Sequence, residues 1–183
     1  MTKQTKRGFT LIELLVVISI IGLLSSVVLT AVQGARVKSE NTQRNSIIGE
    51  YVKALTLAYD KAGGIYPGTI GSITFSCLGD YPVLGTYSAT DSCWSGAIFE
   101  NPAVLNALDD YIPGLPVPKT VDGATASLVG AIYRCEITDC TQARITWRLQ
   151  GVSSGQTCIK GATLTSVVAG AYAGTTACTL ILK

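Results

Sequence analysis

From Phe9 to Val32 the chain runs for 24 residues with Glu13 as its only charged side chain. At about 1.5 Å per residue, a helix of that length exceeds the roughly 30 Å hydrocarbon core of a bilayer. A run so long and so apolar reads as a membrane span, and everything after it must be arranged around that fact. Lys3, Lys6 and Arg7 lie just before it. By the positive-inside rule these basic residues keep the N-terminus in the cytoplasm and send the rest of the chain outward. A secretory signal peptide is the rival reading. It needs an apolar core of about 7 to 15 residues and then a small-residue cleavage site. Here the run is longer and passes into a polar helical pattern with no turn residues between.

The remaining composition suits an exported domain. Taking Lys3, Lys6 and Arg7 from the 14 basic residues leaves 11 against 12 acidic ones, so overall charge offers no case for nucleic-acid binding. Charged residues make up only 14% of the chain, where about 25% is usual in soluble domains. All six cysteines (Cys77, Cys93, Cys135, Cys140, Cys158 and Cys178) follow the span. An even set confined to the outward part predicts disulfides formed in an oxidising compartment. Spacing alone leaves connectivity open, and neighbour pairing (Cys77–Cys93, Cys135–Cys140, Cys158–Cys178) is the expectation. With no CxxC and no histidine, neither a zinc site nor any other metal or cofactor is expected.

After Val32 the sequence turns polar but keeps a helical period. Ile48, Tyr51, Val52, Leu55 and Tyr59 form one stripe, while Arg44, Glu50, Lys53 and Lys61 lie off it. Gly63-Gly64 supplies the stop. The spacing predicts one helix from Phe9 to Ala62, its first half in lipid and its second half showing an apolar face to a folded domain. Within "NPAVLNALDDYIPG", Asn101 and Pro102 predict the start of a short helix and Pro113-Gly114 its end. In "ARITWRLQ", Ala143, Ile145, Trp147 and Leu149 alternate with polar residues, the pattern of an antiparallel strand packed on one face. "LVGAIYRCEI", "TCIKGATLTSVV" and "ACTLILK" are further strand candidates. The expected class is α+β: a long helix against an antiparallel sheet.

Catalytic chemistry is thin. "GVSSG" puts Ser153 in a GxSxG pattern, but that nucleophile needs a base, usually histidine, and the chain has none. Asp109-Asp110 reads as a solvated helix end. No calcium-loop spacing or phosphate loop is present. The chain is not expected to be an enzyme.

Glu13 is the misfit. A carboxylate at the centre of a membrane helix costs about 2.5 to 3.5 kcal/mol, so by default it is functional and has a partner. Near the cytoplasmic end it can also simply reach the headgroups and complement the helix dipole. That simpler reading leaves unexplained why Gly8 stands immediately before Phe9. The stretch "GFTLIELLVVISIIGLL", with its basic leader, Gly8, Phe9, Thr10, Leu11, Ile12, Glu13 and Gly22, resembles the prepilin signature of type IV pilins and the pseudopilins of type II secretion.

The resemblance implies a pilin-like fold and a division into a cleaved leader over 1–8, a membrane and assembly half-helix over 9–32, an amphipathic half over 33–62 and a β-rich globular domain over 63–183. It implies that a membrane-embedded prepilin peptidase cuts between Gly8 and Phe9 and N-methylates Phe9. Glu13 then meets the Phe9 ammonium of a neighbouring subunit as copies leave the bacterial inner membrane for a filament. Many pilins carry a helix-breaking proline where this chain has Thr30, which can continue a helix. A pilus subunit is favoured over a pseudopilin by the cysteines and the Thr/Ser/Gly-rich outer part. A minor pilin that binds DNA or acts as an adhesin is the alternative of another class, resting on a basic patch of Arg134, Arg144, Arg148 and Lys160. An uncleaved, monomeric anchor is a third reading.

Overall fold

An apolar run flanked by a capping residue and a glycine pair makes one long helix, α1, over Leu11–Lys61. In the computed structural model the described residues are 8–68, 74–81, 93–94, 98–123, 127–128, 130–152, 156–167, 169–170 and 172–183. Ser153 and the leader residues Lys3, Lys6 and Arg7 lie outside them. The chain divides into two units, Met1–Lys38 and Ser39–Lys183.

In the first unit every large apolar side chain from Phe9 to Val32 is exposed, from 48% at Val16 to 87% at Phe9. Mean hydropathy reaches 2.7 over an 18-residue stretch. The hydroxyls in this stretch bond to the helix itself: Ser19 Oγ to Leu15 O at 2.8 Å, Ser26 Oγ to Leu23 O at 2.8 Å, and Thr30 Oγ1 to Val27 O at 2.9 Å. Such back-bonding hides polar atoms that lipid could not solvate. The helix continues without interruption through Gly22 and Thr30.

In the second unit α1 packs on a five-stranded antiparallel sheet. Its strands are β1 (Ser76–Leu78), β4 (Ala131–Cys135), β5 (Ala143–Gln150), β6 (Thr163–Val167) and β7 (Thr175–Leu182), in the order β1-β4-β5-β7-β6. A small hairpin pairs β2 (Val121–Asp122) with β3 (Ser127–Leu128), and α2 spans Pro102–Asp109. β5 buries every second residue, as its alternation requires. Ala143, Ile145, Trp147 and Leu149 meet Ile48, Tyr51 and Leu55 of α1, with Leu180 and Leu182 of β7, in one core. Val104 and Leu108 of α2 complete it. The other face of β1 and β4 carries a smaller cluster of Cys77, Tyr81, Cys93 and Ile132. Gly130 is required there: its φ is +70°, and a Cβ would lie 1.5 Å from the Tyr81 hydroxyl.

Arg44 is where the helix departs from expectation. It falls off the apolar stripe by residue type but is 2% exposed. Geometrically it belongs to the buried face, four residues before Ile48 and seven before Tyr51. Its Nη1 donates to Asn41 Oδ1 at 3.1 Å, and its Nη2 donates to the carbonyls of Lys119 and Thr120. Burial pulls the guanidinium down to about 10, opposed by the nearby Glu40 carboxylate. Asn41 acts like one more piece of backbone on the end of β5. Its amide donates to Gln150 O at 2.9 Å and its oxygen accepts from Gln150 N at 2.9 Å. One turn on, Asn45 accepts from Trp147 Nε1 at 2.9 Å and donates to Thr157 O at 2.6 Å. These bonds fix the axial register of helix against sheet, which apolar packing alone leaves soft.

Asn41→Ala strands the Gln150 backbone pair and removes an acceptor from Arg44. It should lower unfolding stability by about 1–3 kcal/mol, read by denaturant titration of the full chain in detergent micelles.

Candidate assembly site

Of the residues singled out at the N-terminus, Glu13 enters a local motif with Thr10, while Gly8 and Phe9 do not. Thr10 stands directly before the first residue of α1 and Glu13 lies in its first turn. Thr10 Oγ1 accepts from Glu13 N at 3.2 Å, while Glu13 Oε2 accepts from Thr10 N and from Thr10 Oγ1, both at 2.9 Å. This reciprocal pairing is a capping box, T-x-x-E, and it satisfies donors that a helix start otherwise leaves open. The helix therefore begins at Leu11 and not at Phe9, because Thr10 serves as the cap. Both bonds fall on Oε2, and among the described residues Oε1 has no hydrogen-bond partner. Phe9 is 87% exposed. Among the described residues, a Cβ at Gly8 would meet nothing within 4 Å.

The six cysteines form three disulfides, Cys77–Cys93, Cys135–Cys140 and Cys158–Cys178, and none is free. Cys77–Cys93 lies in the smaller cluster beneath Tyr81 and Ile132. Cys178 sits in the main core, and Cys158 packs against it. Among the described residues no group of three or more His, Cys, Asp or Glu is placed to hold a metal. Asp110 pairs with Lys61 at 3.1 Å, both exposed.

Of the basic residues singled out, the structure pairs Arg134 with Arg144 across two strands and engages these two and Arg148. Arg134 and Arg144 stand directly opposite on β4 and β5, where like charges repel. Glu136 sits between them, 3.4 Å from Arg134 and 2.6 Å from Arg144. Arg134 also lies 4.7 Å from the Phe75 ring centre. Arg148 lies against a pair of touching rings, 5.4 Å from Trp94 and 4.6 Å from Tyr172 with the ring centres 5.6 Å apart, and donates to Thr175 Oγ1 at 3.2 Å. Burial lowers its pKa from the ordinary value, and the Tyr172 phenol opposes that shift. Lys160 is exposed. Sequence reasoning overlooked Glu136, Trp94 and Tyr172, whose roles depend on contacts distant in the chain. It also overlooked Thr10, which the T-x-x-E spacing does announce.

Comparison with known proteins agrees with the N-terminal motif. A family model described as the prokaryotic N-terminal methylation motif matches residues 3–29. The fimbrial protein EcpC of Eikenella corrodens is 38% identical over 131 residues, covering 71% of this chain and 78% of that protein. No solved structure gives a significant match.

Arg148→Lys keeps the charge but removes the planar group that both rings face. It should cost about 1 kcal/mol, close to the cost of Arg148→Ala, in denaturant unfolding of the full chain in micelles.

Proposed function

The chain belongs to the type IV pilin family, and from that premise we propose that it is a prepilin cut after Gly8 and built into a type IV pilus through α1. The observation that carries this reading is Glu13: one carboxylate, bonded to Thr10, in a stretch from Phe9 to Val32 that is otherwise uncharged and whose large apolar side chains are all exposed. Gly8 supports it, because no packing among the described residues calls for a glycine there and a peptidase reading this segment supplies a reason.

The proposed sequence follows from the chemistry. With the leader attached, residues 9–32 lie in the inner membrane and Thr10 holds the Glu13 carboxylate within its own first turn. Water splits the Gly8–Phe9 amide in the prepilin peptidase; the leader leaves with a carboxylate and Phe9 keeps an amine, which then takes a methyl group from a sulfonium donor that departs as the thioether. That amine is a cation at the start of an apolar helix, and in the assembled filament it faces the free oxygen of a neighbour's Glu13. Two opposite charges attract several times more strongly at an effective dielectric near 20 than in water, while either charge buried alone is penalised. The pair sets the stagger of one subunit on the next. Packing of exposed Leu, Ile and Val side chains between helices supplies most of the cohesion.

A pilus is favoured over a secretion pseudopilus by the three disulfides of the outer domain and by the fimbrial name of the relative. DNA capture draws little support from Arg134, Arg144 and Arg148, since Glu136 neutralises part of the patch and two rings hold Arg148.

Glu13→Gln separates capping from charge, because glutamine also completes a capping box. The variant should lose its leader normally yet stay in the membrane fraction, with surface filaments strongly reduced in shear preparations. Wild-type filament yield from Glu13→Gln would reduce Glu13 to a helix cap.

A further inference from the structure

The two edges of the five-stranded sheet are treated differently. At β1 the edge is closed by the chain itself: Cys77 N donates to Phe99 O at 2.9 Å, and Cys77 bridges Glu100 in parallel. At β6, among the described residues, no strand pairs with the side away from β7. Thr163, Leu164, Thr165 and Ser166 are all exposed, Leu164 to 43%. An open edge presents a row of unpaired backbone donors and acceptors, which proteins normally blunt with lysine, proline or a covering segment. Apart from the shortness of β6 and Lys160 three residues before it, no such device occurs here among the described residues. From Gly161 to Leu182 the sequence contains no charged residue and no proline.

We propose that β6 is a contact between filaments, pairing antiparallel with β6 of a second copy of this chain. This rests on the filament reading above, which supplies many copies. A two-fold axis normal to the sheet keeps each face on its own side and pairs residues about a central one. The longest such pairing of Thr163–Val167 centres on Thr165: Thr165 opposes Thr165, Leu164 opposes Ser166, and Thr163 opposes Val167. In a self-pair the residue on the axis meets its own kind, so a charge at Thr165 would repel its copy. A charge-free, β-branched segment is the chemistry such a contact needs. Subunits of one filament all point the same way and are related by rotation and translation along one axis. The two-fold contact therefore joins copies in different filaments. A single five-residue pairing is far smaller than a stable dimer interface, but two filaments repeat it along their length, and the contacts reinforce one another.

The test uses sheared filaments of the full processed chain viewed by negative-stain electron microscopy. Wild-type filaments should lie in bundles. Thr165→Lys and Thr165→Glu filaments should form in normal yield but stay single, since each variant opposes like charges across the axis. Mixing the two variants should restore bundling, and added salt should abolish it; a folding defect would not be rescued this way. Wild-type filaments that stay apart, Thr165→Lys filaments that bundle as wild type, or mixtures that remain single would each overturn the proposal while leaving the filament reading intact. Absence of wild-type filaments would overturn both.

Discussion

Everything in this chain depends on how polar atoms are settled on a helix that enters lipid. In hydrocarbon no water competes for a donor or an acceptor, so each group must find its partner within the helix or on another chain. Ser19, Ser26 and Thr30 meet that requirement on carbonyls of the preceding turn. Glu13 meets it only in part. Thr10 satisfies one of its oxygens but does nothing to neutralise its charge. A helix start offers a partial positive charge, enough to hold the carboxylate near the membrane surface. Deeper among other apolar helices a full counter-charge is needed, and in the filament proposed above the processed N-terminus of a neighbouring copy would supply it. On that proposal the same carboxylate caps its own helix in one state and sets the stagger of its neighbour in the other.

The second unit solves the opposite problem, holding a helix in register on a sheet surrounded by water. Apolar contacts through Ile48, Tyr51 and Leu55 give adhesion without direction. Direction comes from Asn41, Arg44 and Asn45, whose bonds reach Gln150, Lys119, Thr120, Thr157 and Trp147. A buried polar network of this kind is costly if any member is lost and specific when complete. Three disulfides then tie strands and loops of this unit together, a reinforcement typical of domains in oxidising compartments.

Periodicity made much of this legible from the sequence. The apolar run, the alternation of β5 and the Asn101-Pro102 start of α2 are local signals, and each element forms where its signal lies. What stayed hidden was non-local or contrary to residue type. Arg44 is charged, so its helical phase was discounted although it shares the face of Ile48. β1 has three residues, too short for an alternation to register. The rings around Arg148 come from positions 94 and 172, which no spacing rule joins. At the assembly site, Gly8, Phe9 and Glu13 stood out by their incongruity, whereas Thr10 passed as an ordinary polar neighbour.

The central claim is that the chain is cut, methylated and exported as a filament subunit with Phe9 at its start. Mass spectrometry of the sheared cell-surface fraction tests it most directly. The account predicts an abundant subunit whose first residue is N-methylated Phe9 and from which residues 1 to 8 are missing. Chains that retain Met1 and remain confined to the membrane fraction would contradict it, and the role assigned to Glu13 between subunits would fall with it.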